Sequence, residues 1–561
     1  MLFPTIDFAV FFLVVFTGSW VLRPRLRVWK WFILLSSCVF YLDLFRAKDE
    51  QSLLSLTVPL VSGLIALTAL GSWVLGESIP KENAETRRPP VLTYGAPFLV
   101  YGVVLLVAYW LYQTFPQPRD ENWRYLYLLL GMAFTNQTLA RSVFASLGAG
   151  RSRTSASRWL VRLGIAMNLS VLGFFKYFDW VAGIVATIGP RFEAINLLLP
   201  IAISFFTFQA ISYVVDVGRG ELRPISQLDF CVYLTFFAHL VAGPIVRVGE
   251  FTPQLEGKAD PRFVPASEAF MLIFRGMVKK VVVSSYLAQL VDPVFDLPGN
   301  HSGGQVLIAT YAYAIQIYAD FSGYTDIAIG VALLLGIRFP QNFDAPYRSL
   351  SVQDFWRRWH MTLSRWLRDY LYIPLGGNRK LAMFGKDVGE LRTYINLFLT
   401  MLLGGLWHGA NVTFLVWGAG HGLYLGVERY VKERWALRAK PIGVPLPVVK
   451  VLQWVLTFHV VVFLWVFFRA KDFSNAFDVF GQIFVSSGAA FTFTTFSVAI
   501  VAALVVAMVA SQFVPTRIPT QASVLFGHLP PIVQMVGVAA ALVAIDAFGP
   551  IGISPFIYFR F

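Results

Sequence analysis

Long apolar runs separated by short polar stretches fill this chain from end to end. The first is TIDFAVFFLVVFTGSWVL, from Thr5; others occupy 52–76, 92–113, 125–140, 194–215, 305–319, 395–409, 411–427, 448–468, 494–514 and 531–549. About 20 apolar residues in helical form cross about 30 Å of hydrocarbon. Inside lipid every backbone N–H and C=O must be paired within the protein, which only helices and closed barrels achieve. These runs are continuous rather than alternating in twos, so they select helices. Some are short or interrupted. The expectation is an all-α, polytopic integral membrane protein with roughly 11–13 membrane helices, plus interfacial and re-entrant helices.

Two stretches break the pattern. Residues 262–297 mix apolar stripes with Arg275, Lys279 and Lys280, as an amphipathic helix on the membrane surface or against the bundle would. Residues 338–394 form the longest polar region. Pro340 and Pro346 forbid a regular helix through 338–348. Ser351, three residues before Asp354, is suited to cap a helix starting near 352. Continued at helical spacing, that helix places Arg358, Thr362, Arg365 and Asp369 on one face and Trp356, Trp359, Leu363, Leu367 and Tyr370 on another. Gly376 and Gly377 end it.

Composition agrees with a membrane body. Of 561 residues, 57% are hydrophobic and 14% charged, against about a quarter charged in soluble domains. The first segment lacks a basic flank and a small-residue cleavage site, so it reads as a retained span. Basic loops at 23–30, 81–90 and 151–158 alternate with the balanced loops 46–50 and 116–123. By the positive-inside rule this puts the N-terminus outside. After about residue 175 the alternation no longer assigns sides. The net charge of +14 is dispersed over loops, which suits anionic lipid and argues against nucleic acid. Cys38 and Cys231 both lie in apolar runs and read as small buried hydrophobes.

Chemistry concentrates in three places. LLGGLWHGANVTFLVWGAGHG (402–422) carries His408 after Trp407, with Gly404 and Gly405 one turn earlier. An ionisable residue within a membrane segment is a functional hypothesis by default. A neutral imidazole can take up a proton as a general base, or it can simply hydrogen-bond between helices. The glycines leave room for a substrate or another backbone. FWRRWHMTLSRWLRDY (355–370) carries His360 among tryptophans and arginines. IQIYADFSGYTDIAIG (315–330) places Asp320 and Asp326 in an apolar run, to orient a histidine, pair with an arginine, or join a structural network. His239, His421 and His459 read as structural; His301 and His528 fall in loops. Neither HxxxH nor HExxH occurs, and no G-x-S-x-G, so no metal site or serine triad is expected.

These segments, in this order, resemble the membrane-bound O-acyltransferase superfamily, in its bacterial branch for alginate and related polysaccharide O-acetylation. The blocks are SFFTFQAISYVVDV (204–217), FFAHLVAGPIVR (236–247), RGMVKKVVV (275–283), QIYADFSGYTDIAIG, FPQNFDAPYRSLSVQDFWRRWHMTLSRWLRDYLYIPLGGNR (339–379) and NLFLTMLLGGLWHGANVTFLVWGAGHGLYL (396–425), with FFRAKDFSNAFDVF (467–480) and PFIYFRF (555–561) also fitting. The chain departs from the family pattern at Gly218, at Ala238–His239, at Ala319 and in the insertion LAMFGKDVGEL.

The resemblance implies a catalytic core at 191–480, with N-terminal helices 1–190 and C-terminal helices 481–561. It implies a catalytic His408 and a second functional His360, with Asp320, Asn411 and Trp407 in a polar lining. An acyl thioester such as acetyl-CoA would serve as co-substrate, without a bound cofactor. Its phosphates would meet Arg357, Arg358, Arg365, Arg368 and Arg379. His360 or Asn411 would donate to the oxyanion, and a central tunnel would join donor and acceptor sides. The acceptor would be an extracytoplasmic glycan, reached through a periplasmic or membrane-anchored acyltransferase partner, from a bacterial cytoplasmic membrane. A D-alanyl transfer from a carrier protein is the alternative within the class. A transporter with a His/Asp relay is the alternative outside it.

Overall fold

Helices account for nearly all of the regular structure in the computed structural model. It describes residues 3, 5–43, 121–186, 199–241, 243–257, 259–378, 382–383, 386–387, 391–436, 445–485, 495–515, 517–549 and 557. The expected runs 52–76 and 92–113, the loops 46–50 and 81–90, and Arg379 lie outside the described residues. Among the described residues, three helices are long and apolar enough to cross a membrane: Ser155–Ala186, Gly303–Leu334 and Leu446–Arg469. The first is absent from the hydropathy reading above, because Arg158, Arg162, Lys176 and Asp179 interrupt it. Asp7–Leu22, Ile203–Gly218, Ser497–Ser511 and Pro531–Ile545 are shorter apolar helices.

The chain divides into two units. The first, 1–264 with 332–339, holds α1 (Ile6–Leu22), α2 (Leu26–Asp43), α3 (Glu121–Ala145), α4 (Ser155–Ala186), α5 (Ile203–Gly218), α6 (Gln227–Thr235), α7 (Phe237–Leu240) and α8 (Val248–Glu256). Polar side chains tie these helices: Asn136 and Asn168 exchange amide hydrogen bonds at 3.1 and 2.6 Å. Gly218 has its reason here, since a Cβ would lie 2.3 Å from Val161 Cγ2. His239 is buried among Tyr233, Phe236, Phe251 and Phe339, beside Gln209. The division does not follow the expected 1–190, 191–480 and 481–561, because α5 packs on α3 and α4 and keeps residues 203–264 with the N-terminal helices.

The second unit, 265–331 with 340–561, holds α9 (Ala266–Met277), a π-helical turn at 278–284, α10 (Ser285–Asp296), α11 (Gly303–Leu334), α12 (Val352–Arg358), α13 (Met361–Leu367) and a second π-helical turn at 368–372. It continues with α14 (Leu391–His408), α15 (Val412–Ala436), α16 (Leu446–Arg469), α17 (Phe473–Gln482), α18 (Thr495–Ser511), α19 (Arg517–His528) and α20 (Pro531–Phe548). A two-residue ladder joins Ala382–Met383 to Lys386–Asp387.

The amphipathic stretch 262–297 packs against α11, and Arg275, Lys279 and Lys280 find acidic partners there. Gly276 and Gly323 bring it onto α11: a Cβ at Gly276 would sit 2.5 Å from the Gly323 carbonyl oxygen. Arg275 then grips Asp326 with two hydrogen bonds of 2.9 and 2.7 Å, and Lys279 joins at 2.8 Å. Lys280 pairs with Asp320, both side chains almost wholly buried, and Asp320 also accepts from the Ile557 backbone N–H at 2.8 Å. A buried carboxylate needs such partners.

Candidate active site

The helix expected from residue 352 is two helices. Ser351 caps α12 as expected, its hydroxyl accepting from Asp354 N at 3.0 Å. The helix stops at Arg358 because His360 takes a left-handed backbone, φ 41° and ψ 54°. That conformation costs about 1–2 kcal/mol in a non-glycine residue. Neighbouring bonds hold it in place. The irregular segment 342–344 runs beside the break, with Asp344 N donating to Arg358 O at 3.0 Å and Met361 N donating to Asn342 O at 2.9 Å. Asn342 Oδ1 meets His360 Nδ1 at 3.1 Å, Thr362 N at 3.1 Å and Thr362 Oγ1 at 2.8 Å.

This break redistributes the side chains. Arg358, Thr362, Arg365 and Asp369 do not form one polar face. Thr362 is buried on Asn342, and Arg358 is held by Asp344 at 2.7 Å and Asp354 at 3.0 Å. His360 points inward and is 0% exposed. Phe321 of α11 meets it edge-on at 4.7 Å. Helices α12 and α13 are too short to span a bilayer, and burial there pushes the His360 imidazole down to about 3, leaving a neutral ring at physiological pH.

His408 ends α14. The helix is anchored on α15 by glycines: a Cβ at Gly405 would lie 2.3 Å from Phe414 O, and one at Gly418 would lie 2.4 Å from Met401 O. The glycines thus admit another backbone, one of the two uses expected of them. His408 is 5% exposed. Trp407, Trp417 and Phe468 enclose its ring, with centroids at 4.9, 5.2 and 5.0 Å. Trp407 also faces His360 at 6.5 Å, so one indole lies against both histidines. His421 sits on Trp417 at 4.9 Å and accepts from Trp356 Nε1 at 3.3 Å, which is a structural placement.

The sequence-derived site residues therefore separate. His360, Trp407 and His408 come together. Asp320 is committed to Lys280 and Ile557 N. Asn411 is partly engaged elsewhere: its amide donates to Lys471 O at 2.7 Å and its oxygen accepts from Thr413 N at 3.0 Å, while the second N–H of the amide remains as a donor. Arg368 pairs with Asp369 at 2.7 Å. Arg365 is half-buried on α13, whereas Arg357 is exposed on α12. Asn342 was not singled out by the sequence reading, although it lies in the FPQNFDAP stretch. The aromatic enclosure by Trp417 and Phe468 was also missed; its signal was the density of Trp and Phe after position 412.

A family model described as MBOAT, membrane-bound O-acyltransferase family, matches residues 119–469. The match begins well before residue 191, so the N-terminal helices from α3 onward belong to the family region. The chain is 42% identical over 372 residues to the probable alginate O-acetylase AlgI of Pseudomonas aeruginosa, covering 64% of this chain and 67% of that protein. It is 38% identical over 410 residues to the peptidoglycan O-acetyltransferase of Helicobacter pylori, covering 68% of this chain and 72% of that protein. It is 30% identical over 298 residues to the teichoic acid D-alanyltransferase of Bacillus subtilis, covering 51% of this chain and 72% of that protein. A helical membrane architecture, a histidine pair about one buried tryptophan and this match agree: the chain belongs to the membrane-bound O-acyltransferase family.

Proposed function

We propose that this multi-pass membrane enzyme moves an acetyl group from a cytoplasmic thioester, acetyl-CoA, towards an extracytoplasmic polysaccharide or cell-wall glycan, with His408 as general base. The observation that carries the reading is the enclosure of His408, at the end of α14, by three aromatic rings, one of which also faces His360. The identity to an alginate O-acetylase and a peptidoglycan O-acetyltransferase supports the acetyl group and the glycan class.

The chemistry follows from the site. The acceptor oxygen attacks the thioester carbonyl carbon, and the hydroxyl proton passes to a nitrogen of His408. The tetrahedral intermediate collapses with loss of the thiolate, which leaves as the thiol after taking a proton. Aromatic walls keep water out, which strengthens each polar interaction inside and suppresses hydrolysis of the thioester. General-base assistance is worth about 10²–10⁴-fold in rate. Arg357 suits the CoA phosphates, being exposed and without an acidic partner among the described residues. Donor and acceptor on opposite faces require a tunnel reaching His408. A periplasmic or membrane-anchored acyltransferase completes delivery, with this enzyme in the bacterial cytoplasmic membrane and its N-terminus outside.

The test is donor choice. Purified protein in nanodiscs is given acetyl-CoA or a carrier-protein thioester, with membrane extract as acceptor, and free thiol is followed. Thiol release from acetyl-CoA that needs the acceptor supports the reading. Release from the carrier alone replaces it with D-alanyl-type transfer, the chemistry named for the Bacillus relative. Solute flux with no thioester cleavage from either donor returns the transporter reading.

A further inference from the structure

The bonds around Asn342 bear on a question that the position of His360 leaves open: which of its ring nitrogens carries the proton. A backbone N–H only donates. Thr362 N lies 3.1 Å from the Asn342 side chain, so the atom facing it is the amide oxygen. Flipping the amide would set an NH₂ against that N–H. The same oxygen lies 3.1 Å from His360 Nδ1, and an acceptor there is satisfied only by Nδ1–H. In a neutral imidazole the other nitrogen then bears the lone pair. His360 Nε2 is buried and has no hydrogen-bond partner among the described residues, and the same holds for Asn342 Nδ2. A buried polar atom left unpaired costs about 1–3 kcal/mol, and each such atom calls for a partner, be it water, an ion or a substrate group.

We infer that Asn342 is a positioning residue that holds His360 in the Nδ1–H tautomer, so that Nε2 accepts a hydrogen bond from the acceptor substrate and does not donate to the oxyanion. The inference rests on the acetyl-transfer reading above. It reverses the donor role that the sequence alone suggested for His360. It also speaks to the substrate class. The attacking hydroxyl gives its one proton to His408, so Nε2 needs a second O–H. An acceptor with adjacent hydroxyls, as on a glycan, provides one, whereas a lone Ser or Tyr hydroxyl of a delivering partner would not.

The tautomer is measured directly. Wild-type protein labelled with ¹⁵N-histidine in nanodiscs is examined by solid-state NMR, with His360 assigned from His360→Gln. The expected result is a protonated Nδ1 and an unprotonated Nε2. Protonation at Nε2 would overturn the inference. This arm needs no turnover, so it stands or falls apart from the transferase reading. Two variants extend it. Asn342→Asp keeps an acceptor oxygen and should retain both the tautomer and kcat within about threefold. Asn342→Leu should scramble the tautomer and lower kcat by at least about tenfold, with the KM for acetyl-CoA moved less than about threefold; loss of a tautomer-fixing partner costs up to about 10⁴-fold in a serine protease. A folded Asn342→Leu protein with the wild-type tautomer would also overturn the inference.

Discussion

Substituting Gly418 with alanine tests whether the α14–α15 contact sets the position of His408. The new Cβ would lie 2.4 Å from Met401 O, where real Cβ contacts stay beyond 3.0 Å. The obstructing atom is backbone, so no side-chain rotation relieves it. The two helices must part by about 0.6 Å (3.0 less 2.4). Overpacking of this kind costs about 1–3 kcal/mol, against up to about 1 kcal/mol gained in helix propensity, so the net sign is destabilising or near neutral. The catalytic consequence is larger than the stability one. A misplacement of about 1 Å costs on the order of 10²-fold in rate, and a shift of roughly half that at Met401, about two turns before His408, predicts a loss of about tenfold. Gly426→Ala on the same helix is the control, since its Cβ would meet only Tyr394 Cδ1 at 3.6 Å, an ordinary contact. The assay is the initial rate of acetyl transfer at saturating donor, in protein verified as monodisperse. A wild-type rate in Gly418→Ala would refute the argument, as would an equal loss in Gly426→Ala.

Three further outcomes follow from the same structure. Lys280→Met strands the buried carboxylate of Asp320 and should cost about 3–5 kcal/mol, while the double variant Lys280→Met with Asp320→Leu should recover most of it; melting curves at one scan rate compare them, and equal stability of the single and double variants would remove the ion pair from the account. Arg357→Ala should raise the KM for acetyl-CoA with kcat unchanged, since it is exposed and unpaired by any acid described. Arg358→Ala should instead lower stability, because it strips Asp354 of its arginine and leaves Asp344 with Arg348 alone; steady-state kinetics beside melting curves would show if the two arginines behave alike.

Much of this molecule was legible in its sequence, and the misses have physical causes. Continuous apolar runs are read by the 3.6-residue period and the thickness of lipid, so α1, α11, α16 and α20 fall where hydropathy puts them. Ser351 was legible because capping is local: its hydroxyl needs only the N–H three residues ahead. His360 and His408 stood out because ionisable groups are rare in such surroundings. The helix break at His360 was not legible. A left-handed histidine carries no pattern of its own and is stabilised by Asn342, eighteen residues earlier in the chain. The fates of Lys280 and Asp320 were also hidden. An amphipathic pattern reports that cations share a face, but not that Gly276 and Gly323 let that face approach α11. The Lys471 partner of Asn411 was hidden for a similar reason, since it lies sixty residues away.

The central claim is that His408 takes the proton of the attacking hydroxyl. The measurement that tests it most directly is a single-turnover rate with acetyl-CoA already bound, comparing wild type with His408→Ala, alongside the Kd for acetyl-CoA in each. The account predicts a transfer rate lower by at least about 10²-fold with Kd changed less than about twofold. Transfer in a folded, donor-bound His408→Ala protein at a rate within tenfold of wild type would contradict it.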